Sequence, residues 1–461
     1  MSRYHIDIWL PFFTISKLLT MKELSSMRPH SKIAALLSAL FMGLGQLYNR
    51  QYIKGVLLIF IGAFFIIGYA ADFVYAMNGL ITLGSEVDKI EGFEIIKGDN
   101  SIHLLIQGLI FLIAFILILI SHITNVVDAY TVGKRREMGK NPNNIKETLI
   151  SIYEKGFPFM LLLPSLFATA FLIILPNLFG ILLAFTNYSS PNHLPSNNLV
   201  DWVGFDTFIN LFKMESWSHT FFGVFGWTIV WSIFSTFTCF FGGLFVALLV
   251  NKKGIKFKRF WRSVFILPWA IPQFVSILIM QNLFNGEFGP INQFLLQIGV
   301  IDNNINWLSD PLLAKITIIV VNIWFGFPYW MVLMSGVMTS IDAELFEAAE
   351  VDGANKKQMF RKITLPIVLF STAPLLIMNF AGNFNNFNMI YLMTQGKPVN
   401  PDYQGAGSTD ILISWIYKMT LEQRQYNMAA VVSILIFLVI ATISIWNFRR
   451  TKAFKEEDMM S

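Results

Sequence analysis

The chain has 461 residues, of which 55% are hydrophobic, 15% aromatic and only 14% charged. Soluble domains carry roughly 25% charged residues, whereas apolar runs of about 20 residues, long enough to cross a bilayer, recur along this chain. The net charge of +5 sits beside those runs rather than on a soluble face, which excludes a nucleic-acid-binding domain, and the alternating strands of a membrane barrel are missing. The pattern predicts an all-α polytopic membrane protein.

Residues 1–19, "MSRYHIDIWLPFFTISKLL", hold Asp7 and Pro11 and lack a small-residue cleavage site, so they predict an interfacial segment rather than a signal peptide. The run 33–48, "IAALLSALFMGLGQLY", is short and basic on both flanks, which predicts a re-entrant or interfacial helix. Eight spans are expected, near 53–76, 102–125, 157–185, 219–250, 263–284, 312–338, 367–393 and 427–448. This divides the chain into an N-terminal segment with the first span (1–100), a further span and basic loop (101–156), a core of six spans (157–448) and a tail (449–461).

Charge fixes the expected orientation. Loop 128–156 carries six Lys or Arg and 251–262 another six, whereas 77–101 is acidic, 186–218 has only Lys213 and 286–311 has none. Basic loops stay in the cytoplasm, which places segment 340–366 and both termini there. The single cysteine, Cys239, lies in an apolar run and reads as a packing residue. Trp227 and Trp231 read as packing or interface residues, and the six histidines have no metal-ligand spacing. Neither a cofactor nor a metal is expected.

Segment 340–366 is charged and helix-forming between two apolar runs. Ser340 is expected to cap a helix with Asp342 and Glu344 in its first turn, and Gly353 to stop it. Asn355 with Gln358 resembles a capping box for a second helix, expected to end before Pro366.

Two spans carry polar stripes. Asn322, Gly326 and Tyr329 fall at i, i+4 and i+7, with Phe325 beside them, and Asn379, Asn383 and Asn386 repeat the same spacing. Asparagine amides suit sugar hydroxyls and Phe325 and Tyr329 offer flat apolar surface, although such asparagines also serve as ties between helices. Gly326, Gly382 and Pro328 permit close approach or a kink.

Glu347-Ala348-Ala349, Gly353, Ile363, Leu365 and Pro366 fit EAA-x3-G-x9-I-x-L-P, which resembles the EAA loop of ABC importer membrane subunits. "AFTNYSSPNHL", "FNGEFGPIN", "NIWFGFPYW" and "NFAGNFNNFNMIYLMTQGKP" further resemble the larger maltose and maltodextrin permease subunit, over roughly 157–448. The resemblance implies a type I ABC importer permease fold of about eight transmembrane helices. It implies coupling through Glu347, Ala348, Ala349 and Gly353 to a dimer of ATP-binding subunits, since this chain has no G-x4-G-K-S/T motif. A second permease subunit and an extracytoplasmic sugar-binding protein would complete the importer. An oligosaccharide, maltodextrin first and a raffinose-type sugar second, would meet Asn322, Phe325, Gly326, Tyr329, Asn379, Gly382, Asn383 and Asn386. Gly382 stands where that subunit has an aromatic residue, which would widen the site. Residues 1–100 resemble it poorly, and its large external domain is replaced here by about thirty residues. An ion-coupled carrier is the alternative, but the six core spans hold almost no ionisable group. Convergent catalytic groups for a membrane enzyme are missing as well.

Overall fold

The computed structural model describes residues 29–91, 94–141, 145–194, 198–252 and 254–450. The expected interfacial segment at the N-terminus and most of the tail lie outside them. By its internal contacts the chain divides into two units, residues 1–180 with 196–201, and residues 181–195 with 202–461.

The first unit contains α1 (Pro29–Leu40), α2 (Leu44–Tyr48), α3 (Tyr52–Thr82), a hairpin of β1 (Lys89–Glu91) and β2 (Glu94–Ile96), α4 (Ser101–Glu137) and α5 (Ile145–Ala168). The hairpin adds a small strand element to a chain expected to be wholly helical. Run 33–48 forms two short helices, α1 and α2, neither long enough to cross a bilayer. A buried polar network ties them to α4: Gln46 Nε2 donates to the Asn125 carbonyl and to Asp128 Oδ2, each at 3.0 Å, and Asn49 Nδ2 donates to the Ala129 carbonyl at 2.7 Å. Lys54 of α3 joins the same Asp128 carboxylate at 2.8 Å. α4 is 37 residues long, about 55 Å, so the basic run Lys134–Arg136 is a helical extension of the span rather than a loop. Next to the hairpin, the Asp99 carboxylate accepts the Ser85 and Glu86 amides at 2.8 and 3.1 Å. Those hydrogen bonds hold its pKa below the usual carboxylate value.

After α6 (Leu175–Leu183), the second unit runs through α7 (Asp206–Lys213), α8 (Glu215–Asn251), α9 (Lys258–Ile266), α10 (Gln273–Leu283), α11 (Pro290–Gln297), α12 (Pro311–Thr339), α13 (Ala343–Val351), α14 (Lys356–Met359), α15 (Leu365–Phe384), α16 (Phe387–Thr394), α17 (Leu412–Leu421) and α18 (Tyr426–Arg450). Among the described residues seven helices or near-continuous helices are long and apolar enough to span a membrane, and a bent pair makes an eighth. That pair covers the span expected at 263–284. Residues 258–269 and 273–283 meet at 87°, because Pro272 has no N–H to continue the ladder and disfavours helix at Ile271.

The expectation that helix 355–365 ends before Pro366 is corrected. α14 passes through a π turn at Phe360–Thr364 directly into α15. There Leu365 N–H donates to the Phe360 carbonyl, five residues back, so the wider turn keeps the helix going where Pro366 cannot donate. The Leu175-Pro176 step behaves in the same way, after a π turn at Thr169–Ile174.

α8 is the central post of the second unit, packed along α12 and against α15. Trp227, Trp231, Ile318, Val321, Phe325, Met389 and Ile390 form one buried cluster, and Cys239, Phe240, Leu244, Trp330, Met331 and Val368 another. Trp227 and Trp231 are packing residues, as expected. Their indole N–H groups donate to the Thr409 and Asn383 carbonyls at 3.1 and 2.9 Å. Beyond α16, Asp410 is fully buried and paired with Lys418 of α17 at 2.6 Å, and it also accepts the Gly407 amide and the Ser414 hydroxyl at 2.7 Å each. Burial pushes its carboxyl up while Lys418 and those donors pull it back, with burial the larger effect.

Candidate functional site

The two polar stripes meet α8 at adjacent levels. Asn322 of α12 is buried, and its Nδ2 lies 3.4 Å from Cys239 Sγ, which in turn donates to the Asn322 carbonyl at 3.4 Å. Gly326, one turn on, lies so close to Cys239 that a Cβ would overlap its sulfur. Three residues before Cys239, Thr236 Oγ1 accepts Asn383 Nδ2 at 3.0 Å. The other amide hydrogen of Asn383 goes to Asn379 Oδ1, also at 3.0 Å. Asn322, Phe325, Gly326 and Asn383 are thus all occupied by helix packing, with Phe325 inside the tryptophan cluster.

The remaining four residues face open space to different degrees. Gly382 is exposed, and nothing lies within 4 Å of the position its Cβ would take. Asn379 and Asn386 are half-buried on the same stretch, and Asn386 Oδ1 caps α16 by accepting the Met389 amide at 3.3 Å. Tyr329 is half-buried. Its ring and Leu375 and Leu376 of α15 pack on the cluster around Cys239 and Trp330.

Sequence reasoning missed Trp269. At the break between α9 and α10 its ring stacks on Tyr329, centroids 5.9 Å apart, and its Nε1 donates to the Phe325 carbonyl at 3.2 Å. The prolines on either side, Pro268 and Pro272, were the available signal. A broken helix held against α12 beside a half-open tyrosine is an arrangement that suits a midplane substrate site.

The coupling segment is built from short-range rules. α13 holds Glu347, Ala348 and Ala349 and has no buried residue. Its N-cap is Asp342, without a side-chain cap. Ser340, expected in that role, closes α12 instead, its Oγ donating to the Val337 carbonyl at 2.9 Å. The reason is that α12 runs nearly three turns beyond Tyr329, up to Thr339, leaving only Ser340–Asp342 as a connector. Gly353 takes φ 76°. Its N–H donates to the Glu350 carbonyl at 3.0 Å and that of Ala354 to Ala349 at 2.9 Å, the paired bonds of a Schellman stop. Asn355 and Gln358 then form the expected capping box, with bonds of 2.8 and 3.0 Å. Glu347 and Ala348 are exposed, and Val351 is 89% exposed.

The chain is a multi-pass helical membrane protein with an exposed helix–turn–helix between two of its spans. Residues 239–450 match the model of the binding-protein-dependent transport system inner membrane component family. The chain is 42% identical to the galactooligosaccharides transport system permease protein of Bacillus subtilis (strain 168), over 93% of this chain and 99% of that protein. It is 39% identical to the maltodextrin transport system permease protein of Streptococcus pneumoniae serotype 4, over 95% and 100%. The maltose/maltodextrin permease protein of Vibrio vulnificus (strain YJ016) is 39% identical over 56% of this chain and 50% of that protein. The chain belongs to this family of ABC importer permease subunits. The first two matches extend well beyond 157–448, so the N-terminal unit has counterparts there although the larger maltose permease subunit matches only part of the chain. In structure, a bacterial ABC transporter involved in the import of the acidic polysaccharide alginate aligns at TM-score 0.54 and 23% identity, over 66% of this chain and 98% of that one, in keeping with the type I fold.

Proposed function

We propose that this chain is one of two membrane subunits of an ATP-driven importer of neutral oligosaccharides, with the 340–366 loop and both termini in the cytoplasm. The observation that carries this is α13 with its Schellman stop and capping box. It presents Glu347, Ala348 and Val351 outward on a rigid turn, as a docking element for a separate ATP-hydrolysing subunit requires. An extracytoplasmic binding protein delivers the sugar and a second permease completes the pathway. Residues 1–100 and 101–156 precede a six-span core at 157–448, whose first span, up to Gly180, belongs by its contacts to the first unit.

Asn379, Gly382, Asn386 and Tyr329 are the first residues to meet the sugar. Asn322, Phe325, Gly326 and Asn383 hold the helices in this state and reach the sugar when ATP-driven closure moves α12 and α15 against α8. The substrate is a maltodextrin or a galacto-oligosaccharide, the two sugars named for relatives of nearly equal similarity.

Uptake of labelled maltotriose and galactotriose by cells with and without this gene tests the reading, with ATP and ion gradients depleted separately. Loss of uptake on ATP depletion, and its survival when ion gradients are collapsed, is the expected result. Uptake that follows the ion gradient instead would return the chain to the ion-coupled class.

A further inference from the structure

The segment following α16 builds a cleft of about 520 Å³, within the size range of small-ligand sites. Its walls include Tyr391, Gln395, Lys397, Tyr403, Lys418 and Glu422. The floor is rigid. Lys418 is locked to buried Asp410, Thr394 Oγ1 and Thr409 Oγ1 lie 2.8 Å apart, and Trp415 Nε1 donates to the Gln404 carbonyl at 3.0 Å. In contrast, the exposed side-chain ends of Gln395 and Lys397 have no hydrogen bond or ion pair among the described residues. Gln395 is held at the α16 terminus with φ 54°, an uncommon conformation for a residue with a side chain.

Three rings connect this cleft to the asparagine stretch. Phe387 stacks on Tyr391 at 4.9 Å between centroids, and Tyr417 closes on both at 4.9 and 4.8 Å. All three are half-buried, and Phe387 directly follows Asn386. α16 has eight residues, about 12 Å, so the cleft lies one short helix away from Asn386.

We propose that this cleft is an outer subsite for the trailing end of a neutral oligosaccharide, and that Phe387, Tyr391 and Tyr417 form the strip along which sugar rings pass toward Asn386, Gly382 and Asn379. Amide and tyrosine groups with charges of both signs offer many donors and acceptors around flat apolar faces, which suits a polyhydroxylated ring better than an ion or a lipid tail. Its concave form suits a small ligand better than the broad face a protein partner buries. The proposal rests on the importer reading and on the outward placement of loop 394–411.

The test uses the complete importer in proteoliposomes, with its binding protein, and compares a disaccharide with a tetrasaccharide of the series the wild type transports. The exposed pair is changed as Gln395→Ala with Lys397→Ala. KM for the tetrasaccharide is expected to rise about five- to ten-fold, as the loss of one or two solvent-exposed hydrogen bonds to sugar hydroxyls implies, while the disaccharide KM and the affinity for unloaded binding protein stay unchanged. Tyr391→Leu, which removes the ring where the strip meets the cleft, should raise the tetrasaccharide KM more than the disaccharide KM. An equal loss for both sugars, a weakened affinity for unloaded binding protein, or no change would each overturn the subsite. Failure of the wild type to transport any neutral oligosaccharide would overturn the importer reading itself, which sets the two failures apart.

Discussion

Asn322 and Cys239 hold each other across the α12–α8 contact, amide to sulfur and sulfur to carbonyl, both at 3.4 Å. Such ties between membrane helices are worth about 0.6–2 kcal/mol. Asn322→Ala should therefore lower the thermal midpoint of the detergent-purified complex by a few degrees. If the contact with sugar comes only after closure, the variant also lowers the maximal rate while KM stays near the wild-type value. A KM raised many-fold with an unchanged thermal midpoint would show that Asn322 meets sugar from the start.

Gly382 offers the opposite case, because no neighbour lies within 4 Å of the space a Cβ would enter. Gly382→Phe should thus leave folding intact and place a ring beside Asn379 and Asn386. The expected outcome is a changed ranking of sugars by length or linkage, read from transport KM across a panel. Lost membrane expression, or an unchanged ranking, would mean that the face is filled by another helix.

What the sequence made legible follows the range of the forces involved. The Gly353 stop and the Asn355–Gln358 box depend on neighbours within a few residues, and the pattern of residue types alone locates them. Helix existence was legible for the same reason, since apolar runs of spanning length need no partner to be recognised. The failures involve competition. Ser340 has the chemistry of an N-cap, but the longer α12 claimed it first. Pro366 looked like a terminator, and the π turn before it supplied a way to continue. For the asparagine stripes, spacing showed which residues share a face, but not which face. Only α8, more than eighty residues earlier, decides that Asn322 and Asn383 meet Cys239 and Thr236 while Gly382 stays open.

The coupling segment separates two modes of failure. Glu347 is exposed on α13 and makes no ion pair among the described residues, so Glu347→Lys should leave insertion and thermal stability unchanged and abolish sugar-stimulated ATP hydrolysis by the complex. Gly353→Ala acts differently. It meets open space but must hold φ 76°, at a cost of about 1–2 kcal/mol. Partial loss of coupling with a lowered thermal midpoint is expected there. Normal stimulated ATPase activity in the Glu347 variant would remove the docking role.

The Asp410–Lys418 pair supplies a stability test with a defined dependence on pH. Lys418→Met leaves a buried carboxylate with only the Gly407 amide and Ser414 hydroxyl, and stranding one charge of such a pair costs about 3–5 kcal/mol. Adding Asp410→Asn removes the stranded charge, so the double variant should recover most of the loss, read as resistance of loop 394–425 to proteolysis in the detergent-purified protein. Burial raises the Asp410 carboxyl above its ordinary value. With Lys418 gone, the folded state holds the proton more tightly than the unfolded one. The deficit of Lys418→Met should then be smallest below the ordinary carboxylate pKa and grow as pH rises through the raised folded value. A deficit that is the same at every pH, or a double variant no more stable than the single one, would show that Lys418 acts there by packing rather than by charge.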